Sequence, residues 1–70
     1  MKIIVNGKEY ETKEAITLQA LLEELNIVDK VMAAAVNMQI IKKEQWQNYI
    51  LYENDKLEFL DFVGGGWLFY

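Results

Sequence analysis

The 70-residue chain contains no cysteine, no histidine and no proline. Small domains often supplement a thin core with disulfides or a structural metal, and without Cys or His neither support is available. The apolar core has to suffice alone. The same absences remove a Cys nucleophile, a Ser/His/Asp triad, Cys/His metal ligation and thiol redox chemistry. No catalytic residue and no metal ligand set is therefore expected. Basic residues are also few: 7 Lys and Arg stand against 11 Asp and Glu, a net charge of −4 and a pI near 4.6. This balance argues against a nucleic-acid partner, which needs a basic face, and points to a protein partner instead. No long apolar run suggests a membrane span. The amino terminus MKIIVNGKEY lacks a signal-peptide core, so a cytoplasmic location is expected.

What is present is a globular composition, 53% hydrophobic and 26% charged, at a length that allows one domain. Residues 2–5 are rich in β-branched side chains, Asn6-Gly7 accepts the positive φ angles of a type I′ turn, and residues 8–12 alternate. Together they predict a hairpin. As a phosphate loop Asn6-Gly7 is weak, because no helix amino terminus follows it. Thr17 is suited to cap a helix bearing Leu18, Leu21, Leu22 and Leu25 at i, i+3, i+4, i+7, ending near Asn26. Gln19, Glu23 and Glu24 lie off that stripe and are expected to face water, not to form an acid/base pair.

Val31-Met32-Ala33-Ala34-Ala35-Val36 reads as a strand covered on at least one side, its alanines marking either close helix packing or a partner contact. Ile40-Ile41 predicts a second short strand, and residues 42–48 a helical turn carrying Trp46 as a satellite core residue. Residues 49–52 read as a further extended segment, followed by a turn at Glu53-Asn54-Asp55 and a strand over 56–63. On that strand Leu57 and Phe59 share one parity, whereas Leu60 and Phe62 take the other. Either a bulge or an exposed apolar docking patch accounts for the change. Three of the four glycines follow as Gly64-Gly65-Gly66, then Trp67-Leu68-Phe69-Tyr70, and five of the nine aromatics lie between Phe59 and Tyr70. A triple glycine has little conformational preference. It reads as a linker to a loose end, or as a thin tail for a narrow pocket.

The opening IIVNGKEYE, the helix TLQALLEEL, the segment AAAVNMQIIKKEQW, the strand NDKLEFLDFV and the Gly-Gly ending together resemble the bacterial sulfur-carrier family of thiamine biosynthesis, ThiS, over essentially residues 1–66. The resemblance implies an α+β, ubiquitin-like β-grasp: a mixed sheet of about four to five strands packed on one main helix, with the first and last strands as parallel central neighbours. Residues 1–63 would form this domain, and residues 64–70 a flexible glycine tail with an apolar extension. The family role is that of a carrier and cosubstrate, with no bound cofactor. An E1-like adenylyltransferase uses ATP to activate the terminal glycine carboxylate. Sulfur from a cysteine desulfurase converts it to a thiocarboxylate, and thiazole synthase receives the sulfur. Carried onto this chain, Gly66 and Gly65 are the sulfur-carrying end, and Leu60, Phe62, Val63 and Gly64 the partner-docking approach.

The departure from the family pattern is residues 67–70, which leave Gly66 without a free carboxylate. Related carriers with extra terminal residues are trimmed by a metalloprotease, so a processing protease cutting after Gly66 is expected. Other readings stay open. The chain could carry sulfur in a molybdopterin, cysteine or methionine type of pathway, or serve as a ubiquitin-like binding module whose WLFY end docks into a partner or folds back on the sheet.

Overall fold

The computed structural model describes the backbone of residues 1–63 and 66–69 and the side chains of residues 1–60. Strands β1 (Lys2–Val5) and β2 (Lys8–Glu11) form the expected hairpin. Asn6 and Gly7 both adopt positive φ, 49° and 85°, as a type I′ turn demands. Helix α1 (Leu18–Glu24) starts at Thr17, whose Oγ1 accepts the Ala20 N–H at 3.1 Å. It stops where Asn26 turns left-handed at φ 60°, the residue type other than glycine that best tolerates that conformation. Leu18, Leu21 and Leu22 are buried, while Glu23 and Glu24 face water.

Strands β3 (Ala33–Val36), β4 (Gln39–Ile41) and β5 (Lys56–Val63) follow. The sheet runs β2-β1-β5-β3-β4, with β1 and β5 parallel at its centre and the other neighbours antiparallel. A parallel pair needs a long crossover, and here α1 and the β3–β4 hairpin supply it. Packed on one face of the sheet, the helix buries Ile3, Ala34, Val36, Leu57 and Phe59 beneath it.

Two expected strands are shorter in the structure. Residues 27–31 form a turn, with Lys30 and Val31 N–H groups donating to the Ile27 carbonyl, so the strand expected from Val31 begins at Ala33. Residues 49–52 contribute a single bridge, Thr17 with Ile50. Their backbone is taken up by the start of the helix, through Leu18 N–H to Tyr49 O at 2.8 Å and Leu51 N–H to Ile16 O at 2.9 Å. The predicted helical turn is a 3₁₀ segment, Lys43–Asn48, and Trp46 within it is fully buried. Its indole N–H donates to the Ile41 carbonyl at 2.9 Å, the partner a buried indole requires.

Residues 66–69, expected as part of a flexible tail, form strand β6 (Gly66–Phe69), antiparallel to β5. Gly64, Gly65 and Tyr70 lie outside the described residues.

The Glu24 carboxylate ties the hairpin arm to the helix, accepting from Thr12 Oγ1 at 3.4 Å and more closely from Tyr10. The Tyr10 hydroxyl donates to Glu24 Oε2 at 2.5 Å. That bond first, then burial and the carboxylate charge, raise the Tyr10 ionisation above its usual 10.0. A raised folded-state value means the contribution is complete below pH 10 and is lost as pH climbs through the raised value. Tyr10→Phe is expected to cost under about 1 kcal/mol near neutral pH, since the bond is solvent-exposed. Urea unfolding of the two proteins at a series of pH values is expected to show this difference shrinking above pH 10.

Candidate functional site

Strand alternation sends Ala34, Val36, Leu57 and Phe59 toward the helix, and so turns Ala35, Glu58 and Leu60 to the opposite face. The register aligns Ile40, Ala35 and Glu58 in one row across β4, β3 and β5. With Met38 and Leu60 they line an open groove of about 230 Å³. Among the described residues Glu58 is its one charged side chain. Two of its apolar members are exposed, Ile40 at 63% and Met38 at 90%, while Ala35 and Leu60 are half-buried.

Leu60 is thus placed by the structure in this groove. The ladder of β5 with β3 is continuous from Leu57 to Leu60, so no bulge causes the change of parity there, and Leu60 is a half-buried apolar side chain on the face away from the helix. The alanine run divides between the two faces of the sheet: Ala34 is buried under the helix, while Ala35 lines the groove. Phe62 and Val63 continue β5 by backbone register, but their side chains lie outside the described residues, as do Gly64 and Gly65. Gly66 is described as the β6 residue paired with Val63. The six residues that follow Leu60, ending at Gly66, would if drawn out straight place the glycine end about 20 Å beyond the groove.

Sequence reasoning did not select Met38, Ile40 or Glu58, and considered Ala35 only as one of the alanine run. A signal was present: adjacent residues of a strand point to opposite faces, so Ile40 and Ile41 cannot both be core. The turn preceding them carries a second mark. Asn37 and Met38 adopt φ 52° and 70°, a type I′ turn in which the second position favours glycine. Asn37 suits its place, with Nδ2 donating to Asp55 and Oδ1 accepting the Lys56 N–H, both at 3.0 Å. Met38 holds a strained backbone conformation while presenting a flexible apolar side chain to solvent.

Among the described residues, no group of three His, Cys, Asp or Glu side chains is placed to hold a metal, and no helix is long and apolar enough to cross a membrane. A helix gripped by a mixed sheet, parallel central strands, an open apolar sheet face and a central strand, β5, leading into glycines define a ubiquitin-like β-grasp protein. The particular family follows from comparison with known proteins. The model of the ThiS family matches residues 3–66, and the chain belongs to that family. The sulfur carrier protein ThiS of Escherichia coli K12 is 30% identical over 66 residues, 94% of this chain and 100% of that protein. A thiazole synthase of Paramagnetospirillum magneticum is 35% identical over 66 residues, 94% of this chain but 20% of the enzyme, so the chain spans a fifth of that protein's length. The crystal structure of the Geobacter metallireducens thiamine biosynthesis protein ThiS superposes with a TM-score of 0.81 at 28% identity, covering 94% of this chain and 100% of that one.

The exposure contrast within β4 is open to measurement. Ile40→Ser is expected to change unfolding free energy by under about 0.5 kcal/mol, and Ile41→Ser, which places a hydroxyl in the core, to cost more than about 2 kcal/mol. Met38→Gly is expected to stabilise the fold by up to about 1 kcal/mol by relieving the left-handed backbone, read as a raised urea midpoint at unchanged slope.

Proposed function

We propose that this chain is the sulfur carrier of thiamine (thiazole) biosynthesis, acting in the cytoplasm as a cosubstrate and not as a catalyst. The observation that carries the reading is that the family match runs through the glycines and stops at Gly66. Gly66 is then the residue whose carboxylate is activated, with Gly65 and Gly64 as the side-chain-free approach. A carboxylate is a poor electrophile. Adenylation supplies a leaving group, and replacing it with sulfur yields a thiocarboxylate, an activated nucleophile that needs no thiol side chain. This accords with the absence of Cys from the chain. The ATP belongs to the chemistry of an E1-like adenylyltransferase, with a cysteine desulfurase as sulfur source and thiazole synthase as acceptor. That two of the similar proteins are thiazole synthases supports the last partner.

The groove of Ala35, Met38, Ile40 and Leu60 is the docking face in this reading, supported by its exposure and by its position at the root of the glycine end. Glu58 gives it one carboxylate for a basic partner residue, and the net charge of −4 would steer the chain to such a partner. Since Gly66 is joined to Trp67, a protease has to remove residues 67–70 before activation. The pairing of β6 with β5 favours, as the alternative, a binding module in which the extension is a permanent part of the sheet.

Incubation with ATP and an E1-like adenylyltransferase from a thiamine pathway separates the two. A chain trimmed to Gly66 is expected to form the acyl-adenylate and, with a sulfur donor, to gain the mass of one oxygen exchanged for sulfur, while the full chain stays unmodified at Gly66. Absence of any adenylate on the trimmed chain would sink the carrier reading. Ile40→Glu in the trimmed chain is expected to weaken adenylyltransferase binding about tenfold or more, with thermal stability retained.

A further inference from the structure

Leu60 pairs with Ala33 on one edge of β5 and with Phe69 on the other, so β6 must lie on the β1 side of β5. Along that edge the partners change in order. β1 pairs with Lys56 and Leu57 and then turns away at Asn6. The Asn6 side chain fills the next ladder position, its Oδ1 accepting the Phe59 N–H at 3.1 Å. From Leu60 to Val63 the edge is taken by β6. On the other edge β3 ends its pairing at Leu60. Among the described residues, Asp61, Phe62 and Val63 therefore have β6 as their only strand partner. The Leu60 carbonyl is taken by Met32 N–H on the β3 side. By alternation, the backbone groups of Asp61 and Val63 point to β6.

Of the β6 residues, Trp67, Leu68 and Phe69 lie beyond the family match, which ends at Gly66. The residues additional to the family pattern are thus the ones that pair the end of β5, and by pairing Gly66 with Val63 they turn the glycine end back along the sheet. We propose that β6 is an autoinhibitory strand. It withholds the glycine end by self-pairing with β5, and it shields the bond after Gly66 until the strand opens. Proteases take their substrates as extended single strands, so a bond within a paired strand is cut at a rate set by local opening. Removal of residues 67–70 frees the glycines to extend and leaves the backbone of Asp61 and Val63 open. The identity of the withheld end rests on the carrier reading; the self-pairing does not.

Two measurements test this without sulfur chemistry. Asp61→Pro removes one N–H from the β5–β6 ladder at a position past the last pairs with β1 and β3, and leaves residues 66–70 unaltered as substrate. Brief chymotrypsin digestion followed by mass spectrometry is expected to show loss of the extension about tenfold or more faster in Asp61→Pro than in the parent chain. Equal rates overturn the proposal. The second measurement needs no substitution: in a chain trimmed to Gly66, amide exchange at Asp61 and Val63 is expected to be about tenfold or more faster than in the full chain, with Ile3 and Phe59 unchanged. Equal exchange at Asp61 and Val63 likewise overturns it. Failure of the trimmed chain to be adenylated would instead refute the carrier role and leave both contrasts standing.

Discussion

Burial of Leu57 and Phe59 against α1 sets the register of β5, and the remaining features follow from that register. With those two side chains committed to the helix, β5 matches β1 in parallel on one edge and β3 in antiparallel on the other. Glu58 and Leu60 are then sent to the far face, where they meet Ala35 and Ile40. A slip of one residue would exchange the two sets, placing a carboxylate in the core and a phenylalanine in water. The core is thus not separate from the open groove: the same alternation produces both.

The side chains around β5 hold its ends. Asn37 and Asp55 bracket its start, with Asn37 bonded both to Asp55 and to the Lys56 N–H, while Asp55 Oδ2 accepts the Tyr52 N–H at 2.8 Å. Asn6 covers the Phe59 N–H where β1 leaves. These asparagines do double service, since each also occupies a left-handed turn position. A chain with four glycines, three of them reserved for its end, makes its tight turns with asparagine. At two described positions, Ala15 and Met38, it uses a residue poorly suited to the left-handed backbone, and of these Met38 sits on the groove.

Much of this was legible along the chain. The Asn6-Gly7 hairpin, the Thr17 cap, the leucine stripe and the strand over 56–63 are local patterns, each decided by residues within one or two turns of the backbone. The shortened strands were not legible, because whether residues 49–52 pair with a sheet or with the start of a helix depends on what lies across from them. The groove was half legible. Leu60 announced itself by breaking the alternation, whereas Ile40 looked like any other strand isoleucine until its neighbour Ile41 was found to take the core position.

The sequence by itself determined which side-chain chemistries this chain lacks, most of the elements it forms, and the resemblance that runs to Gly66, since all three depend on residue identity and short-range spacing. Only the tertiary structure decided which face of β5 is left open and that residues 66–69 pair along the edge of that strand. Those outcomes depend on long-range pairing, in which the partner of Leu60 is Ala33 on one side and Phe69 on the other. Nothing local to Trp67, Leu68 and Phe69 distinguishes a trailing end from a strand; the unpaired edge of β5 makes the difference.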